Sequence, residues 1–298
     1  MHVLVTGASG FVGTRLVPQL RDHGHSVTAH DLDVDITDVD AVDRTLEAAR
    51  PDAIIHLAAL SSVQASWDDP LGCYRVNYLG TRNLIESIGR TCPRARLLSI
   101  SSGELYGSRP PDADPCRETD LLHPVSPYAQ TKAAAEFLAS SAAESGADIV
   151  RVRAFNHTGA GQTDRFVASS FARQIAEIEA GLQAPRMRVG NLQSIRDFLD
   201  VDDVIRAYIA LLQPSVPADV YNVASGRGLS IEDLLGKLLD ASNCRDRIEI
   251  EVDPERVRPT DCLFGDASRL QRATGWAPET KLETTLAGLL DAWRQGIA

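Results

Sequence analysis

Near its start the chain reads Thr6-Gly7-Ala8-Ser9-Gly10-Phe11-Val12-Gly13. A short apolar run, His2–Val5, precedes this stretch, and a helical pattern of about Phe11–His23 grows out of it. Strand, glycine turn and helix in that order make a cradle for phosphate. Glycine lets the backbone turn sharply and lets a pyrophosphate come close. The helix start then offers free N–H groups at its positive end. The spacing is G-x-x-G-x-x-G, one residue longer in the first gap than the dinucleotide pattern G-x-G-x-x-G. Gly7, Ser9, Gly10, Phe11, Val12 and Gly13 are therefore the expected core of a dinucleotide site.

Working outward, Asp31 ends a second predicted strand, Ser26–His30. A carboxylate there accepts hydrogen bonds from both adenosine ribose hydroxyls and repels a 2′-phosphate. Asp33 and Asp35 add negative charge, and no arginine lies nearby in sequence. NAD(H) is the favoured cofactor on this reading, with NADP(H) as the alternative. Asp35 stands within reach of an adenine amino group. Ile36, Leu57, Ala58, Ala59 and Phe155 complete the expected cofactor lining.

Further strands are predicted at Ala53–Leu57, Leu97–Ile100 and Asp148–Arg153, with helices at Val39–Ala49, Pro70–Thr91 and Pro127–Ser145. Asp69-Pro70 and Ser126-Pro127 each offer a cap followed by proline at the first helical position. Strands alternating with helices predict an α/β fold, a Rossmann-type doubly wound parallel sheet. Residues 1–155 are expected to form this dinucleotide-binding unit, with return segments near 198–222. Residues 156–197 and 223–298 are expected to form a smaller α/β substrate-binding domain, irregular and loop-rich.

Composition excludes several classes. The net charge of −11 disfavours nucleic acid as a partner. No run reaches the roughly 20 apolar residues that a membrane span needs. The first residues read as a strand rather than a signal peptide, so the cytoplasm is the expected location. The five cysteines are widely spaced and form no C-x-x-C, which predicts reduced thiols and no metal site.

Tyr128 and Lys132 form Y-x-x-x-K on a predicted helix, which puts both side chains on one face. Only three of the 30 basic residues are lysine, so a lysine in a motif carries weight. An ammonium beside a phenol is expected to lower its pKa from near 10 toward neutral, ready to exchange a proton with a substrate oxygen. Ser102, in Ser101-Ser102-Gly103-Glu104-Leu105-Tyr106-Gly107, offers a hydroxyl to hold a carbonyl beside that tyrosine. Asn77 offers a polar brace.

TGASGFVG, HLAA (His56–Ala59), VNYLGT, SSGELYG and YAQTK stand in the order and spacing of extended short-chain dehydrogenases/reductases, which the chain resembles over essentially its whole length. The resemblance implies an NAD(P)-dependent enzyme with Ser102, Tyr128, Lys132 and Asn77 as catalytic residues, Tyr128 and Lys132 also touching cofactor. Phe155-Asn156-His157-Thr158-Gly159, Phe171–Ile175 and Arg196–Val201 are most similar to GDP-4-keto-6-deoxy-D-mannose reductases. That likeness implies reduction of the C4 ketone of a GDP-linked 6-deoxyhexose. Substrate contacts are expected at Ser102, Gly103, Glu104, Asn156, Arg173, Val189, Arg196 and Arg258, the arginines suiting a diphosphate. A sugar-nucleotide 4,6-dehydratase with Glu104 as base, a 4-epimerase, and a non-catalytic NAD-binding regulator are the alternatives. A homodimer through the helices at 70–91 and 127–145 is expected, with Ala133–Ala135 and Phe137-Leu138 giving the second helix its packing surface.

Overall fold

The computed structural model describes residues 1–31, 33–253 and 261–297. In the first half, β1 (His2–Thr6), β2 (Ser26–His30), β3 (Ala53–His56), β4 (Arg96–Ser102) and β5 (Ile149–Ala154) alternate with helices. These are α1 (Gly13–Asp22), α2 (Val39–Ala49), the short α3 (Val63–Asp68) and α4 (Pro70–Tyr74), then α5 (Thr81–Thr91) and α6 (Pro127–Glu144). The second half has the strands β6 (Asn156–Thr158), β7 (Arg186–Val189), β8 (Ile195–Arg196), β9 (Phe198–Asp200), β10 (Val220–Val223), β11 (Leu229–Ser230), β12 (Glu249–Val252) and β13 (Cys262–Leu263). Its helices are α7 (Val167–Glu179), α8 (Val201–Leu211), α9 (Ile231–Asp240), α10 (Ser268–Thr274) and α11 (Leu282–Ile297).

Six strands form one parallel sheet in the order β10-β5-β4-β3-β1-β2. Val3–Val5 of β1, Ala53–Ile55 of β3 and Leu97 and Leu98 of β4 are buried because helices cover both faces. On one face Leu16, Val17 and Leu20 of α1 pack with Val204, Ile205 and Tyr208 of α8. On the other, Val42 and Leu46 of α2 meet Leu84 and Ile88 of α5 and Ala139 of α6. A separate core joins α7, α9 and α11 with β7. The strand order reverses between β1 and β3, and ligands of such sheets bind beyond the carboxyl ends at that crevice. Both the glycine turn and Leu57–Ala59 lie there.

The two proline-marked starts form as expected. Asp69 accepts the Gly72 N–H at 2.8 Å, and Ser126 accepts the Ala129 N–H at 3.1 Å. The single helix expected over Pro70–Thr91 is instead interrupted by a π-helical turn, Arg75–Gly80. The extra residue in that turn accompanies an inward Asn77, which makes four hydrogen bonds there. Helix α1 starts at Gly13, two residues later than expected, because Phe11 and Val12 belong to the turn. Among the described residues no helix is long and apolar enough to cross a membrane.

Candidate active site

The glycine turn is held by sterics. Gly7 has φ +70°, and a Cβ there would lie 2.7 Å from the Ala58 nitrogen. A Cβ on Gly13 would lie 2.4 Å from the Gly7 carbonyl oxygen. Gly10 is exposed, and its N–H donates to the Gly7 carbonyl at 3.2 Å. No side chain caps the start of α1, and its first turn has no acidic residue. The N–H groups of Thr14, Arg15 and Leu16 are taken up by the Gly10 and Val12 carbonyls, and the positive end of the helix, with no capping side chain, fits an anionic pyrophosphate.

The Asp31 carboxylate accepts the Ser9 N–H at 2.9 Å, tying the end of β2 to the turn. Asp35 accepts the N–H and hydroxyl of Thr37, both at 2.8 Å, which holds its carboxyl below the usual range. Asp31, Val34 and Ile36 line an apolar crevice with Leu4, Leu46 and Leu84. Leu57, Ala58 and Ala59 follow β3, and the Ala58 N–H donates to Thr6 Oγ1 at 3.3 Å. Behind them His56 is buried and pushed down to about 3 by that burial and by the Lys132 charge. Thr81 donates its hydroxyl to the Asn77 carbonyl, so His56 Nε2 donates to Thr81 at 3.0 Å. His56 Nδ1 then accepts from Thr6 at 2.8 Å.

Tyr128 and Lys132 come together with Ser102 as the spacing predicts. Ser102 ends β4, and its hydroxyl lies near enough to the Tyr128 phenol to pull that group's pKa down. Its oxygen also accepts the Glu104 N–H at 3.2 Å. Tyr128 and Lys132 are buried in the first turns of α6. Lys132 Nζ donates to the Ile100 carbonyl at 2.7 Å. Asn77 accepts the Leu60 N–H at 2.8 Å and donates to the Leu60 carbonyl and to Thr131, both at 3.1 Å. It so braces the loop after β3 against α6.

One expectation about this cluster is corrected. The Tyr128 phenol is not lowered toward neutral but raised to about 12. Burial is the main cause, the Ser102 hydroxyl opposes it, and the nearby Glu104 reinforces it. Lys132 is lowered to about 8 by the same burial. Desolvation outweighs the ammonium's attraction because the lysine is bonded to a carbonyl rather than to the phenol.

On the substrate side, Gly103 packs beneath the ring of buried Phe155, and a Cβ on it would lie 2.9 Å from that ring. Glu104 follows, half-buried, its carboxyl pushed up by burial while Arg196 pulls it down. Arg196 grips Asp261 with two hydrogen bonds, at 2.8 and 3.0 Å, so a carboxylate already holds one edge of the fork expected to meet phosphate. Asn156 opens β6, which pairs with Phe198 of β9. Arg173 bonds Asp164 and Glu177 on the wall of a cavity of about 380 Å³ that Gln174, Arg186 and Arg188 also line. Val189 is buried at the end of β7. Arg258 lies outside the described residues. All five cysteines are unpaired, and no cluster of His, Cys, Asp or Glu among the described residues is placed to hold a metal.

Residues 28–289 match the family model described as GDP-mannose 4,6 dehydratase. The chain belongs to the GDP-mannose 4,6 dehydratase family. It is 38% identical to the GDP-6-deoxy-D-mannose reductase of Pseudomonas aeruginosa, over 99% of this chain and 98% of that one. It is 30% identical to GDP-mannose 4,6 dehydratase 2 of Arabidopsis thaliana, over 98% of this chain and 79% of the relative. Among solved structures, the RMD of Pseudomonas aeruginosa complexed with NADPH superposes with a TM-score of 0.87 at 37% identity, covering 99% of this chain and 98% of that one. The chain is thus an enzyme of the extended short-chain dehydrogenase/reductase class.

Within this dehydratase-family fold the site holds residues that sequence reasoning passed over. The His157 ring stacks parallel to Phe11 of the glycine turn, 6.3 Å between centroids. Arg15 of α1 donates to the Ala160 carbonyl at 2.8 Å, linking the turn to the segment after β6. Both were quotable in sequence, but only chain return brings them to the cofactor crevice.

Proposed function

We propose that this protein uses a nicotinamide cofactor to reduce the C4 ketone of a nucleotide-linked 6-deoxyhexose, specifically GDP-4-keto-6-deoxy-D-mannose to GDP-D-rhamnose. The observation that carries this reading over dehydration is the packing at Gly103. Elimination of water needs an acid and a base beside the triad. A side chain at position 103 would press its Cβ to 2.9 Å from the Phe155 ring, which would have to give way. Glu104 alone remains as a candidate base, its carboxyl pushed up by burial and pulled down by Arg196. The full-length similarity to a GDP-6-deoxy-D-mannose reductase supports the same choice.

Gly7–Gly13, Asp31, Ile36 and Leu57–Ala59 would hold the cofactor, which would supply the hydride. Ser102 holds the ketone oxygen beside Tyr128. As negative charge builds on that oxygen, Tyr128 hands over its proton. A phenol near 12 stays protonated at neutral pH yet is far more acidic than an alkoxide's conjugate alcohol, so it is stocked for reduction. Lys132, near 8, carries its charge through most of the neutral range and would steady the cofactor ribose and the phenolate that remains once the proton is transferred. Asn156, Val189, Arg173, Arg196 and Arg258 are assigned to the nucleotide diphosphate. Asp31 favours NAD(H), though the Pseudomonas relative is solved with NADPH. Five unpaired thiols suit the reducing cytoplasm.

Absorbance at 340 nm decides the matter, with NADH and NADPH tried in turn and GDP-4-keto-6-deoxy-mannose or GDP-mannose as substrate. Stoichiometric cofactor loss with the keto sugar is expected, and Tyr128→Phe is to abolish it while still binding cofactor. Conversion of GDP-mannose to a keto product without cofactor loss would instead make Glu104 the base of a dehydratase.

We further propose a homodimer. Trp67, Leu71, Tyr74 and Phe137 leave an exposed apolar surface along α3, α4 and α6. Ala133 and Ala135, expected on that surface, are buried instead, so Phe137 carries α6's share. Light scattering should give twice the 32.2 kDa chain mass, and Phe137→Glu should halve it. A wild-type monomer would remove the proposal.

A further inference from the structure

Ser102 and the Tyr128–Lys132 pair belong to different elements, and one buried guanidinium bonds both to the turn that follows Ser102 and to the helix that carries the pair. Arg153 lies on β5 opposite Ser101. Its Nε and Nη2 donate to Glu136 Oε1 at 2.9 and 2.6 Å. Its Nη1 donates to the Tyr106 hydroxyl at 2.9 Å and to the Glu118 carbonyl at 3.1 Å. The Tyr106 hydroxyl in turn donates to Asn222 Oδ1 of β10 at 2.7 Å. The guanidinium also sits 5.0 Å over the Tyr106 ring.

Each partner has a known place relative to the chemistry. Tyr106 closes the 3₁₀ turn Gly103–Tyr106 that leaves Ser102. Glu136 stands one helical turn beyond Lys132 and about two beyond Tyr128, on the same run of α6. Fixing Arg153 therefore fixes both the serine turn and the register of the catalytic helix.

Stability alone explains this arrangement poorly. The side chains of Arg153 and Glu136 are only 7% and 5% exposed, so both charges have been stripped of water. A buried ion pair is often replaced by apolar side chains at no loss of stability. Glu136 Oε2, moreover, is buried with no hydrogen-bond partner. What the pair provides instead is direction, because a planar fork meets its acceptors at set angles.

We infer that Arg153, through Glu136 and Tyr106, is a positioning residue that sets the distance between Ser102 and the Tyr128–Lys132 pair. The inference rests on the reductase reading. A misplacement of about 1 Å costs on the order of 100-fold in rate.

The deciding variant is Arg153→Met combined with Glu136→Leu, which removes both charges and keeps the volume. Its kcat is expected to fall about 10- to 100-fold, while its melting temperature, its KM and its NADH affinity by fluorescence titration stay near wild type. Glu136→Gln, which keeps an acceptor for the fork, should retain more kcat than Glu136→Leu. Tyr106→Phe keeps both charges and the ring, and serves if the double variant fails to fold. There kcat should fall several-fold with KM unchanged. Wild-type kcat in a folded double variant, or in Tyr106→Phe where the double variant does not fold, overturns the inference. Failure of the wild-type protein itself to oxidise cofactor with the keto sugar would overturn the reductase reading instead.

Discussion

The two sides of the proposed cleft, one assigned to cofactor and the other to substrate, are shaped by different means. The cofactor side is fixed by backbone. Gly7 and Gly13 allow main-chain approaches that no side chain would permit, and β1 lies in continuous register with β2 and β3. The substrate side is fixed by side chains. Strands β8, β11 and β13 are two residues each, too short to hold themselves. They are stitched by Arg196 on Asp261, and by Asp197, whose carboxylate accepts the N–H groups of Ser225, Gly226 and Gly265 at 2.8, 3.1 and 3.3 Å. A surface fixed by backbone tolerates changes of charge but not of volume. A surface fixed by charged side chains should respond to pH.

The volume half of that contrast carries the largest expected effect. In Gly13→Ala the new Cβ would lie 2.4 to 2.6 Å from three backbone atoms, none able to swing aside. Overpacking of this kind costs roughly 1–3 kcal/mol and sometimes more, and here it also pushes the turn away from the pyrophosphate. Cofactor affinity by fluorescence titration should drop by about 100-fold or more, a figure that corresponds to about 2.7 kcal/mol. Gly236 in α9 is the control, since a Cβ there meets nothing within 4 Å. Gly236→Ala should leave cofactor binding alone and raise stability by about 0.5–1 kcal/mol. Wild-type affinity in Gly13→Ala would break the comparison at its strongest point.

The same contrast explains what could be read from the sequence. The glycine turn, the Asp69-Pro70 and Ser126-Pro127 helix starts, and the Tyr128–Lys132 face are local, so neighbouring residues disclose them. Asn77 was visible as a brace, but the π-helical turn that carries it inward has no local signature, because its reason is the Leu60 loop. Arg196 was legible as a phosphate fork, while its partner Asp261 joins it only through β8 and β13. The direction of the Tyr128 shift is not legible for a related reason: spacing shows the ammonium, and burial becomes visible only in three dimensions. The Arg153–Glu136–Tyr106 junction draws on three elements and went unnoticed in each.

The charge half of the contrast can be measured at Asp197. Its side chain is fully buried with no ion pair to another described residue, and burial pushes it up to about 6 against the pull of its Ser225, Gly226 and Gly265 donors. An unfolded aspartate titrates near 3.8. The folded chain therefore holds a proton at Asp197 that the unfolded chain has already released between those two values. The stability this contributes is fully present below about 3.8 and is lost as pH rises through about 6. Asp197→Asn does not titrate, so every other group cancels in the difference between the two proteins. Denaturant melts should show the wild type's advantage over Asp197→Asn to be about 2 kcal/mol larger at pH 4.5 than at pH 7.5. The expected sign is opposite to that of a salt-bridged surface carboxylate, whose contribution fades in acid. A gap that stays constant between the two pH values would mean that the Asp197 carboxylate is not desolvated, and that the substrate side owes its shape to something other than buried charge.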